Sequence, residues 1–239
     1  MRRDGRADNE LRAVRITPDF TENPLASVLV EMGRTKVLCT VCDEQSVPRW
    51  MQGRGRGWVT AEYSMLPGST DRRSDREAAR GRLSGRTQEI QRLIGRSLRA
   101  VTDLSALGER TLWVDCDVLQ ADGGTRCASI TGAYTALALG LGRLLRRGDL
   151  AREPLRDSVA AVSAGVVNGQ VVLDLCYEED SRAEVDMNVV ATGSGRFVEV
   201  QGTGEEGTFS REELDGLTSV ALDGIAELGK LQERAVAEG

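Results

Sequence analysis

Apolar and polar residues alternate with a period of two through most of the first 66 residues. The alternating segments contain many β-branched residues and are separated by glycine, proline and asparagine: RAVRIT, ASVLVEMG, TKVLCTVCDE and WVTAEYSML. Alternation of this kind is typical of strands that bury one face. The pattern predicts an antiparallel meander of four strands, followed after Pro67 by an exposed arginine-rich loop that ends near Ser84.

Helical spacing replaces the alternation in three places. Apolar residues at 90, 93, 94, 98 and 101 predict a helix from about 86 to 102, and a second helix is predicted from about 126 to 146. The third helix begins after Ser210, because Ser210 and Glu213 form a capping box and Phe209 can pack on Leu214.

Further strands surround the second helix. They are TLWVDCDVL before it and VAAVSAGVV, QVVLDLCYE, VDMNVVAT and RFVEVQ after it. Strands followed by a helix, twice, predict an α+β fold of two similar strand-rich halves that share one core, without a sequence-level repeat. We therefore expect one domain over residues 1–239.

The composition excludes several kinds of chemistry. The chain has 29 arginines, two lysines and no histidine, so serine–histidine and cysteine–histidine catalysis are excluded. Any metal must be held by oxygen or thiolate, and any anion by arginine, backbone amides or a helix terminus. This inventory fits phosphate chemistry best.

Charge is distributed unevenly along the chain. Residues 1–110 carry 20 basic and 15 acidic side chains and residues 111–239 carry 11 and 22, which gives +5 and −11 and together the net −6. Between 72 and 99 there are nine arginines and three acids. The first half can therefore face a polyanion, although the protein as a whole is acidic.

Five cysteines in a chain of this length suit reduced thiols. Cys39 and Cys42 form a CxxC within a predicted strand. They can be thiols of the core or of the strand, which is the simpler interpretation, or they can serve a zinc site or a redox reaction. The basic N-terminus precedes no apolar run, and no stretch approaches the length of a membrane span. We expect a soluble, cytoplasmic protein that does not enter a membrane.

Two segments place glycine or arginine where a helix begins. DGGTR at 122–126 lies between a strand and a helix, so its amides and Arg126 favour an anion, although such a turn also occurs without a ligand. SGRTQE at 84–89 places Arg86 at the start of the first helix in the same way. Two such sites strengthen the anion-binding interpretation.

Acidic residues cluster at 176–190, where Asp180 and Asp186 flank a short turn between predicted strands. Two carboxylates with open positions suit Mg²⁺, and a solvated loop is the alternative. GTGEEG at 202–207 matches GxGxxG, but Glu205 and Glu206 would repel a pyrophosphate and no second strand follows. We expect this segment to be a loop beside the site, and no Walker motif is present.

Six motifs closely resemble the bacterial ribonuclease PH family, in the family's order and over nearly the whole chain. They are DGRADNELR at 4–12, GWVTAEYSMLP at 57–67, SGRTQEIQRLIGRSLRA at 84–100, QADGGTRCASITGAY at 120–134, EEDSRAEVDMNVV at 178–190 and EVQGTGEEGTFS at 199–210. The resemblance implies a phosphate-dependent 3′→5′ exoribonuclease that trims tRNA precursors and other structured RNA, ribosomal RNA included, and releases nucleoside diphosphates. It also implies a hexameric ring built as a trimer of dimers.

The resemblance also assigns residues. Arg86 and the loop of Gly124, Thr125 and Arg126 bind inorganic phosphate, the co-substrate. Asp180 and Asp186 act in catalysis and hold Mg²⁺ or Mn²⁺, and Arg72, Arg73 and Arg76 contact RNA. Gly68 and Cys176 depart from the residues common in the family, and Asp174 is kept as a companion of the catalytic pair. A catalytically silent RNA-binding ring subunit and a scaffolding ring protein are the alternatives.

Overall fold

The computed structural model describes residues 2–205 and 207–239, without the side chains of Ala78 and Arg80. Within these ranges nine strands, four α-helices and two short 3₁₀ turns follow one another. In chain order they are β1 (Val14–Pro18), β2 (Ala26–Met32), β3 (Thr35–Glu44), a 3₁₀ turn (Arg49–Met51), β4 (Trp58–Met65), a second 3₁₀ turn (Glu77–Arg80), α1 (Gly85–Ala100), β5 (Thr111–Gln120), α2 (Thr125–Arg147), β6 (Val159–Val167), β7 (Gln170–Leu173), α3 (Tyr177–Asp180), β8 (Val185–Thr192), β9 (Phe197–Gly204) and α4 (Arg211–Glu238).

The first sheet has five strands in the order β1-β2-β3-β5-β4. The first three strands form the predicted antiparallel ladder, but the expectation that β4 continues it is wrong. β5 lies between β3 and β4, and β4 pairs with it in parallel, with Tyr63 opposite Cys116. A parallel pair requires a long crossover connection, which the chain supplies as the arginine-rich loop and α1.

The second sheet is antiparallel, in the order β7-β6-β8-β9. The predicted strand QVVLDLCYE is too long, because β7 ends at Leu173. Asp174 has a left-handed backbone with φ 53°, which a strand cannot continue through, and residues Tyr177–Asp180 form α3 instead. The carboxylate of Asp180 therefore projects from a short helix rather than from a turn between two strands.

Helix α2 occupies the centre of the molecule and packs against β2 and β3 of one sheet and β6 of the other. Its contact with the first sheet is so close that a Cβ on Gly132 would lie 2.6 Å from Val30 Cγ2 and 2.7 Å from Cys39 Sγ. β5, which the sequence pattern groups with the second half, belongs to the first sheet, and α2 packs between the two sheets. One cluster of buried side chains includes members of both sheets.

The predicted helices are present with small changes of boundary, and the α+β fold class is confirmed. α4 begins with the predicted capping box, in which Ser210 Oγ accepts from Glu213 N and Glu213 Oε2 accepts from Ser210 N. It packs against α2, β6 and β7. In the described part of the chain, none of the helices combines the length and apolarity needed to cross a bilayer.

Candidate active site

Residues 122–126, here called the glycine loop, connect β5 to the N-terminus of α2. Gly123 and Gly124 both adopt left-handed conformations, with φ of 75° and 66°. A Cβ on Gly123 would lie 2.7 Å from the backbone oxygen of Leu175, so a side chain has no room there. Gly124 is the N-cap residue of α2, which leaves the first amides of a long helix at the end of the loop. This geometry is well suited to an anion.

An arginine accompanies each of two helix N-termini. Ser84 caps α1 by accepting a hydrogen bond from Thr87 N at 3.1 Å, and Arg86 projects, exposed, from the first turn. Arg126 lies in the first turn of α2, where its Nη1 atom contacts Glu89 Oε1 at 3.4 Å and donates to Gln201 Oε1. Glu89 belongs to α1, so this contact joins the starts of the two helices.

Tyr63 is a buried member of the site that the sequence pattern did not single out. Its hydroxyl lies 2.9 Å from Thr125 Oγ1. Burial raises the pKa of Tyr63, while the hydrogen bond with Thr125 and the positive charges of Arg86 and Arg126 act in the opposite direction. Tyr63 therefore stays neutral near pH 7 and holds the Thr125 hydroxyl by a hydrogen bond. Alternation within WVTAEYSML predicted the strand that carries Tyr63, but gave no sign of this hydrogen bond.

Asp180 and Asp186 share this site with the two arginines. Burial raises the pKa of Asp186 to about 6, helped by the negative charge of Asp180 and opposed by Arg126. Burial also raises the pKa of Asp180, and there Arg86 and Arg126 act to lower it. The structure thus brings together the acidic pair and both arginines, although they lie on α3, β8, α1 and α2.

The acidic pair fits a divalent cation. Asp186 Oδ1 is buried and has no hydrogen-bond partner among the described residues, which is costly unless a cation or a donor satisfies the atom. The negative charge of Asp180 raises the pKa of Asp186, and a positive ion between the two carboxylates would relieve this repulsion. Within the described ranges, no group of three or more acidic, cysteine or histidine side chains has the arrangement of a metal site. A cation held by Asp180 and Asp186 alone would therefore keep open positions for water and substrate, as Mg²⁺ does.

The expected role of Asp174 beside the catalytic pair is wrong. Asp174 is buried, and its Oδ1 and Oδ2 atoms accept from Arg12 Nη2 and Nε at 2.8 and 3.0 Å. Both oxygens are committed to this ion pair and are not free to hold a metal. Cys176, the family departure next to it, is the N-cap residue of α3, and its backbone N–H donates to Glu179 Oε2.

The GTGEEG segment lies beside the site, but the expectation that it is a loop is wrong for residues 202–204, which end β9. Gly202 and Gly204 belong to β9 rather than to a loop that opens a helix, so the dinucleotide reading finds no support. The charge of Glu205 raises the pKa of both Asp180 and Asp186. Glu206, expected to repel a pyrophosphate, lies outside the described residues.

The arginine-rich segment, residues 67–84, is here called the arginine loop. Arg72, Arg73 and Arg76 are all exposed, and the ion pair between Arg73 Nη1 and Asp75 Oδ1, 3.0 Å long, is exposed too. Because these side chains are exposed, they are accessible to a large polyanion.

The CxxC motif does not form a chelating pair. Cys39 is buried under α2 whereas Cys42 is exposed, since residues three apart in a strand point to opposite faces. The two thiols are core and strand residues in this structure.

Comparison with known proteins finds matches over nearly the whole chain. A model of the 3′ exoribonuclease family, domain 1, matches residues 10–140, and a model of domain 2 of the same family matches residues 157–224. Ribonuclease PH of Bacillus subtilis (strain 168) is 56% identical over 239 residues, which cover 100% of this chain and 98% of the relative. Ribonuclease PH of Mycobacterium bovis (strain BCG / Pasteur 1173P2) is 62% identical over 237 residues, covering 99% and 92%.

Solved structures show the same fold at much lower identity. The crystal structure of rice (Oryza sativa) Rrp46 superposes with a TM-score of 0.78 at 19% identity, covering 98% of this chain and all of the other. An Archaeoglobus fulgidus exosome with RNA bound to the active site has a chain with a TM-score of 0.80 at 24% identity, covering 96% and 91%.

Proposed function

The chain belongs to the 3′ exoribonuclease family, and we propose that it is a phosphate-dependent 3′→5′ exoribonuclease that trims tRNA precursors and other structured RNA. Relatives that bear the name ribonuclease PH match the chain over its full length. One structural observation carries the proposal. Two helix N-termini, each with an arginine, meet a pair of carboxylates in a chain without histidine.

Inorganic phosphate is the nucleophile. Arg86 and Arg126 supply the positive charge, and the amides of Gly124 and Thr125 at the start of α2 supply directed hydrogen-bond donors. This explains why the site needs no serine, cysteine or histidine nucleophile. Tyr63 holds the Thr125 hydroxyl, which fixes the first turn of α2 against β4.

The reaction exchanges one P–O bond for another. A phosphate oxygen attacks the phosphorus that links the last nucleotide to the rest of the RNA, and the 3′ oxygen of the shortened RNA leaves and takes up a proton. The released product is a nucleoside 5′-diphosphate. Most of the rate enhancement comes from holding the attacking phosphate oxygen in line with the scissile phosphorus and the leaving 3′ oxygen, and from neutralising the negative charge of both phosphates.

Asp180 and Asp186 hold Mg²⁺ or Mn²⁺. When bound, the ion polarises the scissile phosphate and stabilises the leaving 3′ oxygen. The carboxylates themselves provide two ligands and keep the remaining positions open to water and RNA. Burial raises the pKa of Asp186 and Arg126 lowers it, and the result is a pKa of about 6. The carboxyl group is therefore mostly ionised at neutral pH.

The arginine loop binds the body of the RNA. Arg72, Arg73 and Arg76 are exposed and can contact a phosphate backbone, and contacts of this kind position RNA without reading its sequence.

We also propose that the protein works as a hexameric ring, a trimer of dimers. In addition to the family resemblance, large apolar side chains are exposed on this single chain, among them Trp50, Phe197 and Val200. Such groups on a surface often mark a subunit contact. Light scattering should give six times the 25.9 kDa of one chain; a monomer mass would contradict the ring.

The activity is tested with an RNA that carries an unpaired 3′ tail. In Mg²⁺ buffer, nucleoside diphosphates should accumulate in proportion to added phosphate, and nothing should be released without it. A catalytically silent subunit would bind the RNA and release nothing under either condition. Phosphate-independent release of nucleoside monophosphates would show hydrolysis and would overturn the proposal.

A further inference from the structure

The backbone carbonyls of the glycine loop are held by two buried side chains from the first sheet and the segment before it. Arg12 Nη1 donates to Asp122 O at 2.6 Å, and Thr35 Oγ1 donates to Gly123 O at 2.7 Å while it accepts from Asp122 N at 2.9 Å. In the described part of the chain, by contrast, no side chain accepts from the N–H groups of Gly124 or Thr125. The carbonyls are therefore bound by the protein, whereas the amides of Gly124 and Thr125 have no side-chain acceptor in that part of the chain.

Arg12 in turn is held by Asp174. Asp174 Oδ2 accepts from both the backbone N and Nε of Arg12, and Oδ1 accepts from Nη2. The two residues are only 5% and 1% exposed, so the pair is shielded from solvent. Asp174 takes a left-handed backbone with φ 53°, which a residue with a Cβ adopts at a cost. A strained residue that is kept in place by its own ion pair indicates a required geometry.

The same pair connects the glycine loop to the segment that carries an acidic residue of the site. Asp174 lies six residues before Asp180, and Gly123 packs directly on the backbone of residues 175–177. Arg12 thus bridges the proposed phosphate-binding element and the element leading into α3. A shift of the glycine loop would break the hydrogen bond from Arg12 to Asp122, and a shift of the segment before α3 would break the ion pair between Arg12 and Asp174.

We infer that Arg12, oriented by Asp174 and assisted by Thr35, is a positioning residue that fixes the glycine loop so that its free amides point at the phosphate. This inference rests on the proposed function, because it assumes that the loop binds phosphate. Neither Arg12 nor Thr35 needs to touch phosphate or RNA. Their loss should therefore affect the use of phosphate far more than the binding of RNA.

The first test uses Thr35→Val, which keeps the volume and removes the hydroxyl. We expect the KM for phosphate to rise about five- to tenfold, as for the loss of one or two ordinary hydrogen bonds, with the KM for RNA within about twofold of the wild-type value. Thr111→Val is the matched control. Thr111 is buried in the same sheet and also donates to a loop carbonyl, that of Ser46, but lies away from the site.

The second test uses Arg12→Ala with added guanidinium. Arg12 lines a cavity of about 1310 Å³, so a small cation can reach the space that the side chain vacates. We expect kcat/KM for phosphate to fall at least about 100-fold, as for a misplacement of about 1 Å, and millimolar guanidinium to restore part of it. Arg110→Ala is the control, because Arg110 also joins a carboxylate, that of Asp43, to backbone carbonyls and contacts no part of the site.

The outcomes separate the inference from the function on which it rests. If the wild-type protein releases no diphosphates with phosphate present, the proposed function fails. If the wild type is active but Thr35→Val has an unchanged KM for phosphate, or raises the KM for RNA equally, only the inference is overturned. Should Arg12→Ala not fold, the Thr35→Val result decides alone.

Discussion

The glycine loop and the arginine loop both offer positive charge to RNA or phosphate, yet they are built in opposite ways. In the glycine loop the carbonyls of Asp122 and Gly123 are bound by buried side chains, and a Cβ on Gly123 would collide with backbone. In the arginine loop the three candidate arginines are exposed, and a Cβ on Gly81 would meet nothing within 4 Å.

The difference follows from what each loop has to bind. Phosphate must be held in line with a phosphodiester to within fractions of an ångström, so the loop that holds it is fixed in advance. An RNA body varies in shape from one substrate to another, and exposed arginine side chains can adapt to it. The comparison predicts that substitutions at the site around the glycine loop change turnover or the use of phosphate, whereas substitutions in the arginine loop change the affinity for RNA.

The largest effect is expected for Asp186→Asn. The variant keeps the shape of the carboxyl group but removes the charge that holds the cation, so turnover should fall at least about 1000-fold. RNA affinity, measured by fluorescence anisotropy, should stay within about twofold. A matched loss of RNA affinity would place Asp186 in RNA binding rather than in catalysis.

The next effect concerns stability and compares Gly123→Ala with Gly81→Ala. The two glycines have φ of 75° and 73°, so the cost of forcing alanine into this conformation, about 1 kcal/mol, is shared. Only at Gly123 does the new methyl group collide with backbone, which adds about 2 kcal/mol. Urea unfolding should show this difference in the free energy of unfolding. Equal losses would show that the glycine loop is no more tightly held than the arginine loop.

Replacing Arg72, Arg73 and Arg76 together by alanine should weaken RNA binding with little change in kcat. The slope of log K against log salt should flatten by about 0.7 for each phosphate contact that is lost on single-stranded RNA. A triple alanine variant at Arg146, Arg147 and Arg234, which are exposed elsewhere, removes the same charge. If the control flattens the slope equally, net charge rather than the arginine loop explains the binding.

The smallest effect is the pH dependence of stability in metal-free buffer. The folded-state pKa of Asp186, about 6, lies above the ordinary value of 3.8 for an aspartate, so between these pH values the folded protein binds more protons and its stability falls as pH rises. Above about pH 6 the carboxyl group is ionised in the folded and the unfolded protein, and the loss of stability is complete. Asp186→Asn removes it and should raise Tm at pH 8 by about 3 °C, corresponding to about 1 kcal/mol after solvent screening, with no difference near pH 4.

Asp223→Asn, a substitution of an exposed acid on α4, is the control for that measurement. A Tm gain at pH 4 as large as that at pH 8 would show that the effect does not come from ionisation of Asp186.

Local patterns predicted most of the elements but not how the strands combine. Alternation and helical spacing identified the strands and the three long helices, because each depends on neighbouring residues. The placement of β5 between β3 and β4 depends on how the crossover through α1 packs, which strand alternation does not report. The early end of β7 depends on Asp174, whose left-handed backbone is stabilised by an arginine 162 positions away in the chain.

The candidate site likewise contains residues that sequence motifs predicted and residues that they did not. Arg86, Arg126, Asp180 and Asp186 carry charge at helix starts or in a cluster, so sequence motifs pointed to them, and the structure brings their charges together. Arg12, Thr35 and Tyr63 act through buried hydrogen bonds to distant segments. No motif reports such bonds, although Arg12 lies within one of the segments that carry the family resemblance.

The central claim is that phosphate, not water, attacks the RNA. Incubation of a tailed RNA with ¹⁸O-labelled phosphate and Mg²⁺, followed by mass spectrometry of the released nucleotides, tests it directly. We predict nucleoside diphosphates whose terminal phosphate retains the label, and unlabelled diphosphates when only the water carries ¹⁸O. Nucleoside monophosphates that take their label from water would contradict the account.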